Sequence, residues 1–409
     1  MDRDEARTIG QRLRMIRRRR GLGLKVAADL AGISKPYLSM LERGERGFNR
    51  RGLLEDLAAA ISCSVADLTG QPYHLPGRDT EETFAALPGI QVALNDYGPD
   101  DVPDVTPRPL DELVAWADAA NLHCDQTQFS LASRDIGTLA TELQVHAATA
   151  IGPHRERAYA ALVTACMVSG AVAKNLGNID LSVTAAERGY DLACRGGDPG
   201  VTGFARWYWA LGLMRLAARR RASVTLTAGI DELTPTVGIR SASTLPGEMA
   251  GLMHLTSAQT AARERRGDDA HAHLAEAADL AGRLGECNGM RQHFGPTNVA
   301  IWRLGIGVEL GEGGAAYADA TRTPIDVEAL GSPERSSSLH LDCARALVQD
   351  GRDRDAEAIR HLDAADRLAP QRIRMDPLAR DLLSVLRRRA RRPVWELESL
   401  CNRFGIGKG

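Results

Sequence analysis

At 409 residues the chain is far too long for a minimal module, and at about 150 residues per domain it divides into two or three. Hydrophobic residues supply 44%, charged residues 25% and aromatics only 4%, so its cores are built from Ala and Leu rather than rings, which favours closely packed helices. The formal charge of −2 conceals an asymmetry: residues 1–70 hold 14 Lys+Arg against 9 Asp+Glu, and the remainder 37 against 44. A basic head on an acidic body suits a chain in which one part meets a polyanion and the rest stays off it. The cysteines Cys63, Cys124, Cys166, Cys194, Cys287, Cys343 and Cys401 form no C-x-x-C pair, which argues against a disulfide framework or zinc cluster and for small buried hydrophobes. MDRDEARTIG has no apolar signal core and no run approaches the ~18 apolar residues of a membrane helix, so a cytoplasmic location is expected.

In the head, Ile9, Leu13 and Ile16 form one stripe of an amphipathic helix with Thr8 as its N-cap. Arg17 to Arg20 end that helix, and Gly21 and Gly23 break it. A short helix follows from about Leu24 to Ala31 and stops at Gly32. Ser34 caps the next, KPYLSMLERG, with Pro36 in its first turn and Gly44 closing it. A fourth turns Leu53, Leu57, Ala60 and Ile61 inward, and Ser64 caps a last short one through Val65, Ala66 and Leu68.

The segments IGQRLRMIRRRRGL, AGIS, YLSMLERGER, LLEDLAAAI and VADL resemble the helix-turn-helix domain of the phage-repressor and Xre family of transcription regulators. The resemblance implies a five-helix, lambda-repressor-like domain whose second motif helix lies in the major groove of double-stranded DNA. It assigns Lys35, Pro36, Ser39 and Met40 to base edges, with Lys35 donating to guanine. Arg43, Arg46, Asn49, Arg50 and Arg51 become phosphate contacts, and Tyr37 a contact to phosphate or sugar. Where the family has Thr-Gln at the start of the first motif helix, this chain has Gly23-Leu24, which removes an N-cap and a DNA contact.

Residues 71–110 carry Pro72, Pro76, Pro88, Pro99, Pro103, Pro107 and Pro109, with seven acidic against two basic residues. That density predicts an acidic linker with at most one short ordered piece near Thr83 to Leu94. From 111 to 409 the pattern is helical, and turn signals at Gly177, Arg220, Gly267, Gly311 and Gly351 fall 43, 47, 44 and 40 residues apart. Such a period indicates an α-solenoid of helix pairs. DRDAEAIRHLDAADRLAP, with Ala358, Leu362, Ala365 and Ala369, and DDAHAHLAEAADLAG, with Ala270, Leu274, Ala277 and Ala281, resemble lengthened tetratricopeptide repeats. The expected fold is therefore all-α, a helix-turn-helix head on a tetratricopeptide-like solenoid. The whole chain resembles actinobacterial regulators of that build, and this implies a homodimer whose body senses a signalling peptide or small molecule. The other reading is a scaffold or anti-regulator whose solenoid binds a protein partner.

A solenoid binds along the first helix of each pair, where polar or aromatic interruptions mark candidates: Asn175, Arg206, Trp207, Trp209, His254, Asn298, Trp302 and Arg303. No catalytic or phosphate-loop motif is present, so the reading is not an enzyme and calls for no cofactor. Asp269, His273 and Glu276 share a helix face, but that face belongs to solvent, and no metal is expected.

Overall fold

Thr8 starts the first helix. Its hydroxyl accepts from the Gln11 amide while the Gln11 side chain accepts from the Thr8 amide, a reciprocal cap for α1 (Ile9–Arg19). The computed structural model describes residues 8–73, 75, 77–236, 243–392 and 394–406. Helices α2 (Leu24–Leu30) and α3 (Lys35–Glu42) meet across a tight turn at Gly32, and the Ser34 hydroxyl accepts from the Tyr37 amide. After α4 (Arg51–Ala60), Ser64 caps α5 (Val65–Thr69). Gly23 caps α2 without a side-chain bond, as the Gly23-Leu24 departure predicts. Helices α1 and α3 cross so closely that a Cβ on Gly10 would lie 2.2 Å from the Leu41 carbonyl oxygen. They are tied there by buried Arg17, whose Nε and Nη2 donate to the two oxygens of Glu42 at 2.5 and 2.8 Å.

The expected linker is non-helical at 96–109, but its ordered piece is longer than predicted. Residues Arg78–Asn95 form an 18-residue helix, α6, whose Ile90 and Leu94 are buried in the body core. Pro88 sits on its exposed face, where a carbonyl released from the helical ladder can turn to water. Pro76 lies outside the described residues. The body thus begins near residue 78 and continues with α7 (Leu110–Asp125), α8 (Phe129–Ser133) and α9 (Ile136–Thr149).

Five helix pairs follow: α10 (Gly152–Asn175) with α11 (Ile179–Gly196), α12 (Pro199–Arg215) with α13 (Arg219–Leu233), α14 (Leu245–Arg263) with α15 (Gly267–Leu284), α16 (Pro296–Leu310) with α17 (Gly313–Arg322), and α18 (Pro333–Asp350) with α19 (Asp355–Leu368). Each helix packs on the next, and the first helices of consecutive pairs pack on one another, so the body is a solenoid. Left-handed residues turn the pairs at Gly177, Ala217, Arg265 and Gly311, within three residues of the markers in the sequence. Ala358, Leu362, Ala365 and Ala369 of one repeat-like segment and Ala270, Leu274, Ala277 and Ala281 of the other are buried as expected, whereas Pro370, expected to close the first, is exposed and starts a new helix. Helices α20 (Pro370–Arg374), α21 (Pro377–Arg389) and α22 (Trp395–Arg403) close the C-terminal end. Every described helix is an α-helix or a short 3-10 turn, and no strand occurs among the described residues.

Overpacking an α1–α3 crossing that is backbone against backbone should cost about 1–3 kcal/mol. Gly10→Ala is therefore expected to weaken hydrogen-exchange protection in the head amides while leaving the amides of α10 to α15 unchanged.

Candidate nucleic-acid interface and body cavity

The outward side of α3 carries the residues expected to face DNA. Lys35 and Pro36 are exposed at its start, Tyr37, Ser39 and Met40 are half-buried, and Arg43 and Arg46 are exposed at its end. The side chains of Lys35 and Arg46 have no partner among the described residues. Arg43 spans Ser39 Oγ at 2.5 Å and the Glu45 carboxylate at 2.5 Å, and the hydrogen bond to Glu45 raises its guanidinium above the ordinary range. Arg51 turns away from this face, and the Asn49 backbone and the Arg50 side chain also touch the body. The Asn49 carbonyl accepts from Arg345, Arg50 lies beside Gly311, and Arg51 reaches inward to the Arg215 carbonyl at 3.2 Å. Proximity in sequence to α3 made them look like phosphate contacts, but the turn into α4 rotates them toward the body.

That rotation builds a seam between head and body. Helix α4 has no side-chain cap of its own, and Glu309 of α16 supplies one by accepting from the Arg51 and Gly52 amides at 3.1 and 3.3 Å. Asp381 of α21 accepts from the Phe48 amide at 2.6 Å, and its burial pushes the carboxyl up to about 6. Buried Glu55 faces Arg51, Arg219 and Arg263, while Asp56 takes Arg219 and Arg265. Arg388 donates to the Gly44 carbonyl at 2.7 Å, and Leu378 packs into the head's own core. Gly52 is needed at this seam, since a Cβ there would lie 2.7 Å from the Arg263 carbonyl oxygen.

Behind the seam, the first helices of the repeats enclose a cavity of about 280 Å³. Of the residues expected to bind a ligand, Asn175, Trp207 and Trp302 line it. The others lie elsewhere. Arg206 pairs with Glu232 and the Tyr190 hydroxyl, Trp209 stacks on Tyr190, and His254 meets His273 at 3.1 Å between α14 and α15. Asn298 is buried at the start of α16, donating to the Gln292 carbonyl at 3.4 Å, and Arg303 is exposed. Successive residues on a helix are about 100° apart, so Arg206 and Trp209 face away from the wall that Trp207 occupies. Among the described residues no three His, Cys, Asp or Glu side chains gather as a metal site.

What the sequence reading missed is charge. Eight basic and five acidic side chains line the cavity, so it is net cationic. Lys174, Arg215 and Arg263 occupy the last turns of α10, α12 and α14, and this recurrence of one base at the end of successive first helices is the signal that could have found them. Each sits at a helix C-terminus, where the free carbonyls favour a cation. The acids are mostly committed: Glu309 to Arg345 and the α4 amides, Asp342 to Arg345, Asp376 to the α21 amides, Glu334 to Arg335 and Arg372, and Asp125 to Ser332 and His293. Burial alone would raise Glu309, but Arg345 and Arg263 hold it below the usual carboxylate range. Lys174 makes no hydrogen bond and no ion pair among the described residues. Burial, then the nearby Arg215, push it down to about 7, and burial with Arg51 and Arg263 nearby pushes Arg215 down to about 9.

A family model described as a helix-turn-helix domain matches residues 8–69, and those residues form such a domain. The competence pilus inhibition repressor of Acinetobacter baylyi is 38% identical over 60 residues, which cover 15% of this chain and 54% of that protein. The chain thus spans about half the length of this curated relative. Among solved structures, Bacillus thuringiensis PlcR in complex with the peptide PapR7 and DNA is similar over 95% of this chain and 100% of that one, at 10% identity and a TM-score of 0.34.

The Lys174 ammonium gives the stability of the chain a defined pH dependence. Its folded value of about 7 lies below its ordinary 10.5, so between those values the unfolded chain binds more protons, and stability contributed by this group rises with pH. Relative to Lys174→Met, the wild type is expected to gain up to about 1.4 kcal/mol per pH unit across that window. Denaturant melts at pH 7, 8.5 and 10 check it, and parallel curves for the two proteins would contradict it.

Proposed function

We propose that the chain is a sequence-specific DNA-binding transcription regulator, acting as a homodimer, whose helical body senses a small signal and relays it to the head. The observation that carries this reading is the outward face of α3, where Lys35 and Arg46 stand exposed and unpaired at opposite ends of the helix. In a helix-turn-helix docking the first residues of this helix enter the major groove. Lys35 donates to guanine O6 and N7, and Ser39 and Met40 meet the next base edges. Arg46 holds a phosphate, and Arg43 does so after exchanging Glu45 for it, an easy exchange because both members of that pair are open to water. Tyr37 meets the sugar-phosphate edge. A single head reads few base pairs, and two heads on a palindrome supply the remaining selectivity.

The seam supports the sensing part. Arg51 belongs to the head and also lines the body cavity, so a molecule held there touches both parts. Asn49, Arg50 and Arg51 are seated on the body, and a change in that seat alters how the α3 face is presented. Trp207, Trp302 and Asn175 provide the aromatic and amide contacts of the sensing wall.

Fluorescence anisotropy on DNA from upstream of the chain's own gene tests the head. Lys35→Ala should lower discrimination between that DNA and random sequence, by about 1–3 kcal/mol at one base pair. Arg46→Ala should weaken both DNAs alike and reduce the salt slope by about one. Wild-type binding by both variants would remove the groove assignment.

A further inference from the structure

The ends of the first helices hold more positive charge than the structure needs. Among the cavity bases, Arg345, Arg335 and Arg372 face carboxylates directly, but Lys174 makes no hydrogen bond or contact ion pair among the described residues and feels the Glu334 carboxylate only at longer range, and Arg215 bonds only the Leu211 carbonyl, at 3.4 Å. Both lie deep in the molecule while keeping surface open to the cavity. Burying an unpaired cation is strongly unfavourable, and neighbours of like charge make it worse. A site that gathers Lys174 and Arg215 around one space, beside the head's Arg51 on its Glu55 partner, is suited to receive an anion. The same space is walled by Trp207, Tyr208 and Trp302, which suits a flat apolar body attached to that anion.

We propose that this cavity binds a small organic anion carrying an aromatic or apolar body, its charged end held by Lys174 and Arg215 of the body and by Arg51 of the head. This rests on the sensing part of the function proposed above and gives the signal a chemical class. Two of the three cations belong to the solenoid and one to the head, so occupancy and head seating are linked. Filling the space with an anion also favours the charged form of Lys174, so binding takes up a proton near neutral pH.

The test uses the full-length chain with two probes at constant ionic strength against chloride, sodium phosphate for the charged end alone and sodium benzoate for charge and ring together. Both probes should raise the melting temperature of the wild type saturably, and benzoate should in addition change the fluorescence of the cavity tryptophans. Lys174→Met and Arg215→Met should each weaken that response about tenfold, the loss of one charge-assisted hydrogen bond. In chloride the same variants should melt at or above the wild-type temperature, because an unpaired buried charge has gone. Arg51→Met should weaken the anion response by a smaller factor. An equal response in wild type and variants, or none in any of them, overturns the proposal. DNA binding is measured on the same samples. Anion binding without DNA binding keeps this site and removes the regulator reading, and DNA binding without an anion response removes this site alone.

Discussion

The helix that begins at Arg51 has no cap in its own sequence. Arg50 precedes it without a side-chain bond, and its first amides donate instead to Glu309, a carboxylate more than 250 positions away on the body. A helix start buried without acceptors is costly, so α4 is complete only when the head is seated on the solenoid. Much else follows from that dependence. Asp381 serves the Phe48 amide in the same manner, Leu378 fills a gap in the head core, and Gly52 stays small so that two backbones can meet. The head is a domain by topology and a subunit of the body by packing.

The charges around this junction form one network rather than a set of pairs. Glu309 links the α4 amides to Arg345, and Glu55 links Arg51 to Arg219 and Arg263. Arg51 then bonds the last carbonyl of α12, beside the surplus cations of the cavity. In a poorly solvated interior such groups respond to one another, and removing one member leaves its partners with unbalanced charge. A head held by hydrogen-bonded charge can be re-seated by a change in charge.

The head was almost fully legible in the sequence because its signals are local. Thr8, Ser34 and Ser64 act within three residues, and Gly32 and Gly44 take left-handed turns at once. The repeats were legible because their period survives even where Ala217 and Arg265 replace the turn glycine. The segment 78–95 was misread, since proline frequency describes a stretch on average and says nothing about which face Pro88 occupies. The destinations of Asn49, Arg50 and Arg51 were hidden for a different reason: their partners are Arg345, Gly311 and Arg215, contacts that no local pattern encodes. The sequence pattern singles out aromatic, amide and basic interruptions within the first helices, Arg206 and Arg303 among them, whereas the distinctive content of the cavity is basic side chains in last turns, an ordinary place for them on any helix.

Because α6 belongs to the body, only residues 70–77 join the two parts. Eight residues span at most about 26–29 Å when fully drawn out. Two of these are pinned, with Gln71 donating to the Met375 carbonyl and Tyr73 lying under Arg380. A head that left its seat would remain within that radius, at an effective concentration in the millimolar range, and would find the seat again at once. Successive half-sites on one face of DNA are about 34 Å apart. The reach of a head is therefore set by where its own solenoid is, and the body fixes where the α3 face can be presented.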